Sequence, residues 1–155
     1  MYKYQQQRNT NFMNEDYCSY ELAQVLKSSG FDWRCEYCYI INKHTKIVSH
    51  QEYAGASDWN HAEIGGPKYQ YIHISAPTLW QAHKWLREVK GIAINVMANS
   101  KGQYCQTRAY LPNYAGRTIG YDWAINGVYP LYNTYEEALS TGISKALESP
   151  TQNTQ

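Results

Sequence analysis

A chain of 155 residues, 43% hydrophobic and 17% charged, has the size and composition of a globular protein built on one core. Its 14 Lys and Arg against 13 Asp and Glu leave a formal charge of +1, which excludes a chain held open by its own charge and a protein that coats a long polyanion. With 16 Tyr and 5 Trp against 2 Phe, most rings carry a polar tip and suit surfaces that are half wet and half buried.

Met1 to Phe12 hold no apolar run suited to a signal peptide, and no stretch anywhere is long and apolar enough for a membrane span. The expected location is the cytoplasm, with Cys18, Cys35, Cys38 and Cys105 reduced. Residues 1–18 are polar and aperiodic and read as a loose arm. Ser19 then offers an N-cap to a helix over Tyr20 to Ser29, where Leu22, Val25 and Leu26 recur at helical spacing and Gly30 gives the stop. Cys35 to Ile41 and Lys46 to His50 flank Asn42-Lys43-His44-Thr45 as a hairpin. Ala54 to Lys68, rich in Gly, Ala and Ser and carrying Trp59 and His61, reads as a loop long enough to be functional.

Tyr69 to Ile74 alternates Tyr69, Tyr71 and His73 with Gln70, Ile72 and Ile74, the pattern of a half-buried strand. Thr78-Leu79-Trp80-Gln81 is a capping box, and Leu79, Ala82, Leu86 and Val89 form the core stripe of a helix ending before Gly91. Ile92 to Ala98 and Gln103 to Tyr110 flank Asn99-Ser100-Lys101-Gly102 as a second hairpin. Ile119 to Ile125 and Val128 to Tyr132 flank Asn126-Gly127 as a third, with Pro130 marking an edge. Thr134-Tyr135-Glu136-Glu137 caps a last helix whose inner face is Tyr135, Leu139, Ile143 and Leu147, before a polar tail over 149–155. The order αββ(β)αββββα, with hairpin turns in place of crossovers, predicts a single α+β domain over 1–155, a mostly antiparallel sheet with helices on one face.

Three blocks carry a resemblance: Leu26-Lys27-Ser28-Ser29-Gly30-Phe31-Asp32 with Cys35 soon after, Ala76 to Glu88 (APTLWQAHKWLRE), and Thr134-Tyr135-Glu136-Glu137-Ala138-Leu139. The chain resembles a family of small uncharacterised proteins of gut bacteria, their phages and mobile elements. The resemblance implies a phage or mobile-element origin, a cytoplasmic location in the host and an accessory role, and it supplies no activity and no site residues. Cys38 and the Tyr-rich strands between the blocks depart from the family pattern.

Cys35-Glu36-Tyr37-Cys38 followed by His44 and His50 raises a zinc site, but only Tyr39 to Lys43 separate Cys38 from His44, and the alternation of a strand sets Cys35 and Cys38 on opposite faces. No metal and no cofactor are expected. No nucleophile elbow, zincin motif or phosphate loop occurs. A small hydrolase built from His73 with Glu52 or Asp58 is the enzymatic alternative, and the expected number of catalytic residues is none.

The sharper signal lies on the second helix, where Trp80, His83, Lys84 and Arg87 share one side. On the strands, Tyr104, Gln106, Arg108 and Tyr110 share a face, as do Tyr121 and Trp123. Rings stack on a base and Arg pairs with a phosphate, so Trp80, Lys84, Arg87, Arg108, Tyr121 and Trp123 are the expected ligand-binding residues for a small nucleotide-like anion. The alternative reading of the same rings is a module that anchors on a host protein. Long nucleic acid and membranes are excluded as partners, and the half-wet surface points to a homodimer.

Overall fold

The computed structural model describes residues 16–62, 70–110, 121–122 and 129–148. Three helices and six strands follow in the order α1 (Tyr20–Ser28), β1 (Cys35–Asn42), β2 (Val48–Ser57), β3 (Tyr71–Ser75), α2 (Leu79–Lys90), β4 (Ile92–Ala98), β5 (Tyr104–Tyr110), β6 (Tyr121–Asp122) and α3 (Tyr135–Glu148). This is an α+β fold with the expected order of elements. The strands form two antiparallel sheets where one was expected, ordered β2-β1-β3 and β4-β5-β6. A single core cluster joins them, drawing Cys35, Cys38 and Ile40 from the first sheet, Ile92 and Ile94 from the second, and residues of all three helices.

The local signals act as their chemistry dictates. Ser19 accepts from the amide of Leu22 at the start of α1. At its end Gly30 takes φ +88°, Gly30 N–H bonds Lys27 O and Phe31 N–H bonds Leu26 O, which closes the helix and turns Phe31 into the core. In α2 the Thr78 hydroxyl accepts from Gln81 N while Gln81 Oε1 accepts from Thr78 N, and Gly91 ends the helix at φ +67°. For α3 the Thr134 hydroxyl accepts from Glu137 N, and the Glu137 carboxylate accepts from Asn133 N. Among the described residues no helix is long and apolar enough to cross a membrane.

Several expectations shift. The polar stretch read as loose through residue 18 is already tied down by Asp16: Leu79 N bonds Asp16 O, Cys18 N bonds Pro77 O, and Cys18 is fully buried. Residues 1–15 lie outside the described residues. Lys46 opens no strand, because Asn42 Oδ1 accepts from His44 and Thr45 and puts Lys46 at φ +59°. The loop expected from Ala54 begins later: Ala54 to Ser57 complete β2, and Trp59 turns inward to donate its indole N–H to Cys35 O at 2.7 Å. Its remainder over 63–68, Tyr69 of the following strand, and the Asn126-Gly127 turn lie outside the described residues. The last expected strand contributes one bridge, Tyr132 to Tyr104.

Of the expected inward-facing residues, Leu22, Leu26, Leu79, Ala82, Leu86, Leu139 and Ile143 are buried, with Val25 and Leu147 partly so. Val89 is 45% exposed, since the last turn of α2 runs past the core; Tyr135, at the first turn of α3, is 43% exposed. Their place is taken by Trp85, fully buried and packed edge-on against Phe31 at 5.4 Å.

At Gly142, α3 approaches the second sheet closely. A Cβ on Gly142 would lie 2.6 Å from Ile94 Cγ2 and 3.1 Å from the side-chain oxygen of the fully buried Gln106. Gly→Ala in a helix ordinarily adds about 1 kcal/mol of stability; Gly142→Ala is expected to lower the melting temperature instead. Leu86→Ala is expected to cost about 2–5 kcal/mol, while Val89→Ala leaves the chemical-denaturation midpoint nearly unchanged.

Candidate functional site

The site is organised by α2 and by the free edge of the second sheet. Among the described residues β4 lies at the edge of that sheet and pairs only with β5. Asn99 N bonds Gln103 O across the hairpin, so the odd-numbered residues of β4 point their amides at β5 and the even-numbered ones point theirs outward. Ile94 is one of these, and its outward N–H donates to His83 Nε2 at 3.1 Å. An exposed edge invites unwanted pairing; here one imidazole from α2 closes one of its open positions, at Ile94.

That bond settles the chemistry of the ring. A backbone N–H can only donate, so Nε2 holds its lone pair and the imidazole proton sits on Nδ1. Burial, and the Arg87 guanidinium beside the ring, pull the pKa of His83 down to about 4, and the ring is neutral at pH 7.

Around His83 a cavity of about 300 Å³ opens between the amino ends of α2 and α3. Thr78, Leu79, Trp80 and His83 line it from α2 and its cap, Tyr135, Glu136 and Leu139 from α3, and Asp16 from the segment pinned to Leu79. Trp80 is 63% exposed and Tyr135 43% exposed, so two aromatic rings stand at the mouth above the apolar Leu79 and Leu139. Two carboxylates, Asp16 and Glu136, supply hydrogen-bond acceptors, and among the described residues no Lys or Arg is part of the lining.

The expected ligand-binding residues divide. Trp80, Lys84 and Arg87 do run along one side of α2, with Trp80 at the cavity. Lys84 Nζ lies 5.3 Å from the centre of the Trp80 ring and 5.8 Å from that of Trp33, and 3.8 Å from Glu88, so it braces the outer face of Trp80. Arg87 Nη1 reaches 3.2 Å from His83 Nδ1. Arg108 belongs elsewhere: it pairs with Ile94 on one side and Tyr121 on the other, on the strand face of the buried Gln106 that meets α3. Tyr121 is placed only as its partner in the ladder, and Trp123 lies outside the described residues. Tyr135, Asp16 and Glu136 were missed, since they come from sequence positions remote from α2; the one available signal was Tyr135, a ring in the first turn of a capped helix.

The other candidate groups are engaged in the fold. The register shifts between Cys35 and Tyr37, where β2 bulges around Gly55, and both Cys35 and Cys38 lie in the core despite the alternation of β1. Burial pushes the Cys35 thiol up to about 12, with Asp58 adding to the shift, and the Cys38 thiol up to about 11; Cys18 is raised as well. His44 stands in the exposed turn, and His50 packs among Tyr17, Tyr37 and Tyr39 at ring distances of 5.3, 5.0 and 4.9 Å. Among the described residues no three His, Cys, Asp or Glu side chains gather as metal ligands. Asp58 is held by His61 Nδ1 at 2.6 Å and Glu52 by the Tyr37 hydroxyl at 3.1 Å, whereas the His73 ring lies against Tyr53 and Trp59. The geometry therefore assembles no base and nucleophile from those three residues.

No protein-family model, curated protein or solved structure matches the chain. The functional argument therefore rests on the cavity itself.

Two outcomes follow from these environments. The unfolded chain binds a proton at His83 below its ordinary value near 6.5, while the folded chain resists until about 4. The associated stability is thus complete above that ordinary value and is lost as pH falls through the interval, on the order of 2–3 kcal/mol for a partly exposed ring. Urea titrations across the interval should show the loss, and His83→Gln should make it shallower without abolishing it, because burial lowers His50 and His73 in the same direction. Native alkylation at neutral pH should label Cys105 and spare Cys18, Cys35 and Cys38 until denaturant is added.

Proposed function

We propose that the protein is a binding protein, not an enzyme, and that its ligand is a small planar molecule of the nucleotide kind held in the cleft between α2 and α3. The observation that carries this reading is the cavity of about 300 Å³ with two exposed rings, Trp80 and Tyr135, at its mouth. Its size is that of a small-molecule site, and an apolar pocket with a few convergent polar groups is the usual form of one. A heterocycle entering it stacks against Trp80, while its amino, imino or hydroxyl groups donate to Asp16 and Glu136, which can only accept when ionised. Lys84 against the outer face of Trp80 fixes that ring in place and leaves its charge near the mouth. The blocks that resemble phage and mobile-element proteins support an accessory role of this kind, sequestering a ligand in a host cytoplasm.

Thermal-shift and Trp-fluorescence titrations with nucleosides and nucleoside monophosphates test the reading, with chromatography of the recovered ligand. Binding without consumption is expected, together with a melting temperature that rises with ligand concentration. Trp80→Ala and Tyr135→Ala replace exposed side chains, so each should leave the free protein's melting point nearly unchanged while weakening affinity roughly tenfold or more. Turnover of the ligand overturns the assignment as a binder. Absence of any response to nucleosides and nucleotides overturns the ligand class and leaves the exposed rings as anchors for a protein partner.

A further inference from the structure

The contact between His83 and Arg87 has the wrong polarity for a hydrogen bond. Ile94 N–H occupies the lone pair on Nε2, so Nδ1 carries the proton, and every nitrogen of a guanidinium is a donor. Flipping the ring would place a carbon against Ile94 N–H and strip that edge amide of its acceptor, so the orientation is fixed by the fold. Nδ1–H and the N–H groups of Nη1 are therefore two donors, 3.2 Å apart. Arg87 is half-buried, and among the described residues it has no carboxylate partner and no other hydrogen bond. Donors so placed are reconciled by one acceptor reaching both, and a guanidinium taken partly out of water favours a negatively charged one.

We propose that His83 Nδ1–H and the Arg87 guanidinium form an anion subsite for one acidic group, a phosphate monoester or a carboxylate, whose oxygen bridges the two donors. The subsite deepens the proposed function and rests on the cleft being the binding site: His83 lines the cleft, and Arg87 lies one turn of α2 further from Trp80. A ligand with its ring at Trp80 thus directs its acidic group along α2, away from Asp16 and Glu136. Neutral His83 donates without titrating, so the subsite keeps its geometry at physiological pH.

The experiment is nitrogen-detected NMR of the imidazole in the full chain, with inorganic phosphate and acetate as separate probes. At neutral pH His83 should appear as the tautomer protonated on Nδ1. Phosphate or acetate should move the Nδ1 signal saturably; the one that binds more tightly identifies the acidic group. Arg87→Gln, with its melting temperature measured alongside, should abolish the response, and Arg87→Lys should retain a weaker one. Trp80→Ala should leave the response intact, because the small anions do not need the ring. A proton on Nε2, no response to either anion, or a response that survives Arg87→Gln overturns the subsite. Nucleosides that bind as tightly as their monophosphates also overturn it while leaving the cleft standing. Anions that bind at Arg87 in a protein indifferent to nucleosides and nucleotides uphold the anion subsite and refute the cleft reading.

Discussion

The imidazole of His83 is the joint on which the site depends. Its Nε2 satisfies an edge amide of β4 that has no strand to pair with among the described residues, and this holds α2 along the second sheet. The same bond forces the proton to the other nitrogen and keeps the ring neutral. A buried donor left without an acceptor costs about 1–3 kcal/mol, so the fold has a reason to keep this ring whatever the site binds. The electronic state of the site is therefore set by secondary structure: the register of the β4–β5 hairpin decides that Ile94 faces outward, and Ile94 decides which nitrogen of His83 donates.

α2 distributes its cations unequally as a result. Lys84 lies between two indole rings and near Glu88, where its stem covers apolar surface and its charge stays in water. Arg87, three residues on, faces a donor. The two look equivalent in a helical projection, yet only one is left with unmet bonding capacity. Arg108, which the composition of β5 suggests as a third member, is directed toward the α3 side of its sheet by strand alternation.

Much of the fold was legible because its signals are local. The capping box of α2, the Thr134 cap of α3 with Glu137 reaching back to Asn133 in place of Thr134, the glycines after α1 and α2, and the hairpin at Asn99 act through residues only a few positions apart. Features requiring long-range pairing were not legible. Alternation marks Cys35 to Ile41 and Ile92 to Ala98 as strands without saying that they belong to different sheets. The bulge opposite Cys35 lies on β2, where Gly55 takes φ +87°, and only the pairing of β2 with β1 reveals that it falls there, so the reading of the two thiols on opposite faces failed. On α2 the leucines were read correctly and Trp80 stands exposed beside them, whereas Trp85, the ring next to Leu86, fills the core although nothing in the spacing had singled it out. The cation row was visible as helical spacing; the cavity beside it needs α3 and Asp16, which only tertiary packing supplies.

The charges around the cleft define a direction for whatever it holds. Asp16 and Glu136 stand on the cavity wall, and Arg87 lies beyond His83 along α2. Glu136 also lies in the first turn of α3, where its charge complements the positive end of the helix and repels an anion placed beside it. In the proposed complex a neutral or donor-rich ring fits the wall and an acidic group fits only past His83. A long polyanion would meet the carboxylates as often as the guanidinium and gain little, in keeping with a net charge of +1. Selectivity then comes from the separation of ring and acid within the ligand, measured against the two turns of helix between Trp80 and Arg87, more than from the strength of any single contact.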